Sequence, residues 1–227
     1  MTNLPKAGDF IDIHNHGASS SPGIFTVDSI MAHENRLPVS KPGIAYTAGI
    51  HPWFLTVETQ VQQLDFIRKV AGDSGIIALG EAGFDKLKGP SIELQRETFG
   101  EQLSMAAEVA KPLVIHCVRA WDELFAAHRR AGTKPWLVHG YRGKKELASQ
   151  LLSRGIYISF WFDFIMRPES SGLVKALPRD RIFLETDGAD VSIADIYMKV
   201  ALDLEISVEE LKNIMLGNFK RFFEISE

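Results

Sequence analysis

Phe10-Ile11-Asp12-Ile13-His14-Asn15-His16 is a strand-length apolar run that ends on two histidines spaced to share one face. The same construction returns four times. Ile76-Ile77-Ala78-Leu79-Gly80 ends on Glu81, Pro112-Leu113-Val114-Ile115 on His116, Trp136-Leu137-Val138 on His139, and Ile182-Phe183-Leu184 on Glu185-Thr186-Asp187. Each run stops on a side chain able to hold a metal. In a parallel βα barrel the carboxyl ends of the strands open on one face, where that fold carries its chemistry. The pattern predicts an α/β protein, a TIM-like (β/α) barrel.

Outward from these runs, the apolar stretches 10–14, 44–49, 76–80, 113–116, 136–139, 156–159 and 182–185 read as strands. They are apolar throughout rather than alternating, as expected of a sheet covered on both faces. Between them, Val57, Val61, Leu64 and Ile67 fall on one helical face, and Phe99, Leu103, Ala106 and Ala110 on another, stopped by Lys111-Pro112. Leu147, Leu151 and Leu152 mark a third helix. Ser207-Val208-Glu209-Glu210 is a capping box that opens a last one, running through Leu211, Ile214 and Met215 to Phe219 and Phe222. Two segments resist the pattern. The Ser-, Gly- and Pro-rich stretch 17–42 is expected to hold at most a short helix over 27–34. Between Asp187 and Ser207 no strand is legible, and 193–204 reads as helix. The barrel is therefore expected to be irregular or incomplete at the eighth strand, with residues 1–227 forming a single domain, short against the roughly 250 residues usual for this fold.

A net charge of −4 disfavours a protein that coats nucleic acid through clustered Lys and Arg, but not an enzyme acting on ends or small substrates. No apolar run approaches the ~18 residues of a membrane span, and Met1-Thr2-Asn3-Leu4-Pro5-Lys6 lacks the charged-then-apolar pattern of a signal peptide. The single cysteine, Cys117, excludes an internal disulfide. These features predict a cytoplasmic protein without membrane association or an obligate protein partner, as monomer or dimer.

His14 and His16 can face one ion together. Glu81, behind a glycine at a strand end, is placed to bridge two. His116 and His139 each close a buried run, and Asp187 competes with Glu185 for the last strand end. Four imidazoles and two carboxylates suit two divalent ions with positions left for water and substrate. Nitrogen-rich donors fit Zn²⁺ or Mn²⁺ better than Mg²⁺, the third candidate. Lys86, Lys88, Arg119, Arg142, Lys144, Lys145 and Arg167 fall on segments leaving the same end, a basic rim suited to a phosphate diester. Trp53, Tyr141, Trp161 and Phe162 lie there too and could stack on bases.

The chain resembles the TatD-related metal-dependent deoxyribonucleases. The resemblance rests on Ile11-Asp12-Ile13-His14-Asn15-His16, Gly49-Ile50-His51-Pro52, Ala78-Leu79-Gly80-Glu81-Ala82-Gly83-Phe84-Asp85, Pro112 through His116, Val138-His139-Gly140-Tyr141-Arg142-Gly143 and Leu184-Glu185-Thr186-Asp187, in family order, with a Gly217-Asn218-Phe219 ending. It implies phosphodiester hydrolysis in DNA. It places His14, His16 and Asp187 on one ion and His116 and His139 on the other, with Glu81 bridging. His51 and Asp85 match pocket positions that are not primary ligands. Asp187 is the expected base, and Arg119 or Arg142 would meet the developing charge. The chain departs from the family in carrying Val118 where an arginine is usual, and a short segment after Asp187 that includes the acidic Asp190. A phosphomonoester or small-nucleotide hydrolase, an amidohydrolase on the same barrel and a metal-binding scaffold remain the alternatives. The second lacks the lysine that often bridges such metals at the fourth strand end.

Overall fold

The computed structural model describes residues 4–130 and 134–225, so Met1 to Asn3 of the N-terminal reading lie outside the described residues. Its strands are β1 (Phe10–Asn15), β2 (Ile24–Met31), β3 (Ile44–Gly49), β4 (Ile76–Asp85), β5 (Leu113–Val118), β6 (Trp136–Tyr141), β7 (Tyr157–Phe160) and β8 (Ile182–Leu184). They follow one another in chain order within one sheet. The pairings β1–β2, β3–β4, β4–β5, β6–β7 and β7–β8 are parallel. Past β8 the chain returns to β1, where the Asp187 N–H donates to the His14 carbonyl at 3.1 Å and the Thr186 N–H to the Asp12 carboxylate at 3.0 Å. Strand order and this return define the expected (β/α) barrel. The helices are α1 (Gln60–Val70), α2 (Ile92–Glu108), α3 (Trp121–His128), α4 (Lys145–Ser153), α5 (Phe162–Ile165), α6 (Ser170–Ala176), α7 (Ile193–Leu204) and α8 (Val208–Phe222). Among the described residues no helix is long and apolar enough to cross a membrane.

The strand missing from the sequence reading is the second, not the eighth. Residues 27–34 are not helical: β2 runs to Met31, and only Ala32–Glu34 form a short 3-10 turn. Its interior residues Thr26, Asp28 and Ser29 are as buried as Phe25, Val27 and Ile30, so polarity hides a strand enclosed on both faces. Asp28 is compensated by the Gly17 N–H at 2.8 Å.

By their internal contacts the described residues separate into two compact units, 29–40 with 46–130 and 134–136, and 4–28 with 41–45 and 137–225. In the first unit α1 buries Gln63, Phe66, Ile67 and Val70, whereas Val57 and Val61 of the expected face are exposed. The Gln63 amide nitrogen donates to the Phe54 carbonyl and the Thr59 hydroxyl, which offsets part of the cost of burying a polar side chain on that face. Phe99 and Ala106 of α2 are buried as expected, but Gln95, Thr98, Gln102 and Met105 share their face, and Ala110 lies beyond the helix end. Two of those glutamines grip strand ends. Gln102 accepts from the Ile50 N–H at 2.7 Å, and Gln95 accepts from the Asp85 N–H while donating to the Asp85 carbonyl. Where β4 meets β5, Gly83 has φ +148°, and a Cβ there would stand 2.0 Å from the His116 carbonyl oxygen. Only glycine permits that approach.

In the second unit α8 starts as predicted, the Ser207 hydroxyl accepting from the Glu210 N–H at 3.1 Å. Its Phe219 and Phe222 are fully buried, Phe219 edge-on to Phe25 at 5.3 Å and Phe222 to Tyr157 at 5.1 Å. Each such ring contributes about 1.5–3 kcal/mol. Asn218 of the Gly-Asn-Phe ending is also buried and donates to the Arg179 and Ile182 carbonyls at 2.8 Å, fastening α8 to the entry of β8. The helix expected over 193–204 is α7, and its buried Tyr197 hydroxyl meets the backbone of Ile11.

Candidate metal centre

The first unit gathers His51, Glu81 and His116, all buried, with a donor atom from each within 4.8 Å of the other two. His51 caps the 3-10 turn Pro52–Phe54, its Nδ1 accepting from the Trp53 N–H at 3.0 Å. The ring proton therefore sits on Nε2, which lies 3.0 Å from Glu81 Oε1 and 3.2 Å from His116 Nδ1. His116 stands between two carboxylates, with Nδ1 2.9 Å from Glu81 Oε1 and Nε2 3.2 Å from Asp85 Oδ2.

Asp85 is held by more than His116. Its Oδ2 accepts the Trp53 indole N–H at 2.6 Å, and its Oδ1 accepts the backbone N–H groups of Leu87 and Lys88 at 2.7 and 2.9 Å. Burial alone would raise its pKa, but the hydrogen bonds from Trp53, Leu87, His116 and Lys88 outweigh it and hold the carboxyl below the ordinary aspartate value. A carboxylate fixed in this way and set against one imidazole nitrogen orients the other toward a ligand site.

The second unit gathers His14, His16 and Asp187, and beside them His139. The Nε2 atoms of His14 and His16 lie 3.6 and 3.4 Å from Asp187 Oδ1, and the His14 and His139 rings are 4.2 Å apart. Asp187 itself has φ +53°, in the left-handed region. Glu185, the competing strand-end acid, is fully buried and accepts from the Gly140 N–H at 2.7 Å and from the Ser159 hydroxyl, ties that hold β6, β7 and β8 together.

The His14, His16 and Asp187 set fits a divalent ion. Nitrogen-to-oxygen separations of 3.4 and 3.6 Å are long for a hydrogen bond. They match two ligands at about 2.1 Å from one tetrahedral ion, which stand about 3.4 Å apart. Nitrogen with carboxylate oxygen is also the donor chemistry of Zn²⁺ and Mn²⁺.

The structure also places the remaining side chains singled out in the sequence. Arg119 is exposed, in a left-handed bend after β5 (φ +52°). Arg142 lies over the Trp161 ring, its guanidinium carbon 3.8 Å from the centroid. Tyr141 is buried with its hydroxyl on the Lys144 carbonyl, so it offers no ring to a base. Lys86 is paired with Asp122 and Arg167 with Asp163. Burial pushes the Cys117 thiol up to about 12, leaving it protonated and inert.

Sequence reasoning missed Asp12. It is buried, accepts from the Thr186 N–H, the Thr186 hydroxyl and the Asn15 amide, and is pushed by burial up to about 6. The period-two series Asp12-x-His14-x-His16 carried the signal, since a strand points all three the same way. Beside it opens a cavity of about 460 Å³, lined by Asp12, Asn15, His16, Ser19, Thr186 and Asp190 among others and by no Lys or Arg.

A parallel (β/α) barrel bearing His- and carboxylate-rich clusters at the carboxyl ends of its strands defines a metal-dependent hydrolase of the TIM-barrel type. A family model described as TatD related DNase matches residues 24–224, and the chain belongs to that family of metal-dependent hydrolases. It is 26% identical over 211 residues to the uncharacterized metal-dependent hydrolase YcfH of Escherichia coli (strain K12), covering 85% of this chain and 78% of that one. With the 3'-5' ssDNA/RNA exonuclease TatD of Cronobacter sakazakii it shares 30% identity over 183 residues, 75% of this chain and 67% of that one. Among solved structures, YJJV, a TatD homolog from Escherichia coli K12, matches with a TM-score of 0.77 at 19% identity, over 97% of this chain and all of that one. That likeness shows the fold.

Proposed function

We propose that the chain is a nuclease that removes nucleotides from the end of single-stranded DNA, acting in the cytoplasm with two divalent ions of the Zn²⁺, Mn²⁺ or Mg²⁺ type. The observation that carries the reading is the convergence of the His14 and His16 Nε2 atoms on Asp187 Oδ1 at 3.6 and 3.4 Å. The Cronobacter relative, named as a single-strand exonuclease, supports the choice of substrate. His14, His16 and Asp187 would hold one ion, and His116 and His139 the other. Glu81 would take the bridging role that the family resemblance assigns to it.

Divalent ions of this kind, when bound, lower the pKa of a water and polarise a phosphoryl oxygen. The chain's own residues do the rest. Asp187 accepts the proton of the attacking water. His51, with its proton on Nε2, donates to Glu81 and fixes that carboxylate. Asp85 orients His116, so it serves as a positioning residue rather than a substrate contact. Arg142, steadied by Trp161, and Arg119 meet the charge that develops on the phosphate.

The test is cleavage of end-labelled single-stranded DNA by metal-free protein with Mg²⁺, Mn²⁺ and Zn²⁺ restored one at a time, and Glu81→Ala as control. A metal-dependent ladder from one end, absent in the variant, is the expected result. No cleavage with any ion overturns the reading in favour of small nucleotides or phosphomonoesters. The cavity beside His16, whose wall holds no Lys or Arg, favours the small-nucleotide half of that second reading, because it suits a sugar or base better than a phosphate chain.

A further inference from the structure

Two lysines follow β4, and their surroundings differ. The Lys86 ammonium donates to both Asp122 oxygens at 2.8 Å, so its charge is neutralised in place. Lys88 makes no ion pair among the described residues. Its Nζ sits 3.7 Å over the centroid of the Trp53 ring. An aromatic face attracts an ammonium without neutralising it or using up its N–H donors, so the full charge stays available to an anion.

The platform under Lys88 is rigid. Trp53 is 41% exposed, yet its indole edge is tied to Asp85 at 2.6 Å, and the same carboxylate accepts the Lys88 backbone N–H at 2.9 Å. Lysine backbone and indole therefore hang from one buried side chain. That side chain also contacts His116, and the Trp53 ring stands edge-on 5.6 Å from the His116 ring and 5.0 Å from that of His51. The ammonium thus lies on the ring that borders the His51, Glu81 and His116 cluster, and Lys88 itself is exposed.

We infer that Lys88 binds a phosphate of the nucleic-acid strand next to the one being cleaved, and that Trp53 is the positioning residue that holds it there. The inference rests on the nuclease reading for the identity of the ligand. A compact ammonium suits one phosphate oxygen, and a contact to a non-scissile phosphate acts on substrate binding rather than on the chemical step.

The experiment pairs Lys88→Met and Lys88→Arg with two single-stranded oligonucleotides. One is natural, and the other carries a neutral methylphosphonate at the linkage adjacent to the cleaved end. With wild type, removing that charge is expected to raise KM by about two- to fivefold at nearly constant kcat, the size of one exposed ionic contact. Lys88→Met should show the raised KM on natural DNA and no further response to the methylphosphonate, while Lys88→Arg restores the wild-type pattern. The affinity of metal-free protein for the same labelled strands, read by fluorescence anisotropy, should fall by a similar factor in Lys88→Met. A wild-type KM for Lys88→Met, or an undiminished response to the methylphosphonate, overturns the inference while DNA cleavage itself stands. If wild type binds the strands through Lys88 but does not cleave them with Mg²⁺, Mn²⁺ or Zn²⁺, the nuclease reading fails instead. Equal affinities of wild type and Lys88→Met overturn the role of Lys88 whether or not cleavage occurs.

Discussion

Replacing Asp85 with Asn changes almost no volume, and the structure gives its consequence. The carboxylate presents two acceptor oxygens to four partners, Trp53 Nε1 and His116 Nε2 on Oδ2 and the N–H groups of Leu87 and Lys88 on Oδ1. An amide has one acceptor and one donor end. In either orientation its NH₂ confronts an N–H already 2.6 or 2.7 Å from that position. At least two hydrogen bonds to a charged acceptor are lost, each worth about 1.5–3 kcal/mol. Leu87 and Lys88 are exposed and can turn to water, so the lower part of the range applies, about 3 kcal/mol in total. For a protein of this length that lowers Tm by about 6–12 °C, measurable by calorimetry on metal-free protein. Freed from Asp85, the His116 ring should also weaken metal binding by about 10- to 100-fold, measurable by competition with a chelating dye. The pH dependence has a definite sign. Asp85 titrates below the ordinary aspartate value, so its stabilisation is present above about pH 4 and is lost as pH falls through the folded-state pKa. The gap between wild type and variant should close on acidification. An Asp85→Asn protein with the wild-type Tm and metal affinity at neutral pH would refute the reasoning.

Three further outcomes follow from the geometry. Gly83→Ala places a Cβ 2.0 Å from the His116 carbonyl in a tightly paired strand, and it should either fail to fold or lose more than about 4 kcal/mol, seen as loss of soluble yield or of the cooperative thermal transition. Asn218→Asp removes the amide that donates to Arg179 and Ile182, and it should lower stability by about 2–4 kcal/mol in urea titrations while hydrolysis per folded molecule is retained. Removing metal with a chelator should abolish hydrolysis and lower stability by about 2.7 kcal/mol relative to protein saturated at 100 times the dissociation constant, so an unchanged melting profile would argue against ions at these clusters.

How much of this was legible in the sequence depends on how each element hides its polarity. β4, β5, β6 and β8 announce themselves because each opens on an apolar run, which a metal-type residue interrupts in β4, β5 and β6 and follows in β8. β2 escaped because Thr26, Asp28 and Ser29 are buried in its middle, compensated by partners such as Gly17 that no local pattern reveals. The buried face of α1 was misplaced for the mirror-image reason: Val57 and Val61 face solvent while Gln63 faces inward. At the site, spacing reached the ligand candidates one strand at a time, and four of them, His14, His16, His139 and Asp187, come together in one unit. The residues that orient the candidates were out of reach. Asp85 with Trp53, and Glu185 with Ser159, are partnerships across 32 and 26 positions, and only folded coordinates bring them together.

The left-handed backbone of Asp187 bears on how an inert form of this enzyme should be made for capturing the substrate proposed above. Alanine tolerates φ near +53° poorly, whereas asparagine and aspartate visit that region more readily than other residues with a Cβ. Asp187→Ala would thus bend the turn that ties β8 to the His14 carbonyl at the same time as it deletes the carboxylate, and its silence could not be credited to chemistry alone. Asp187→Asn keeps the turn while removing the charge and the proton acceptor proposed above, and it is the form in which to look for a trapped, uncut strand.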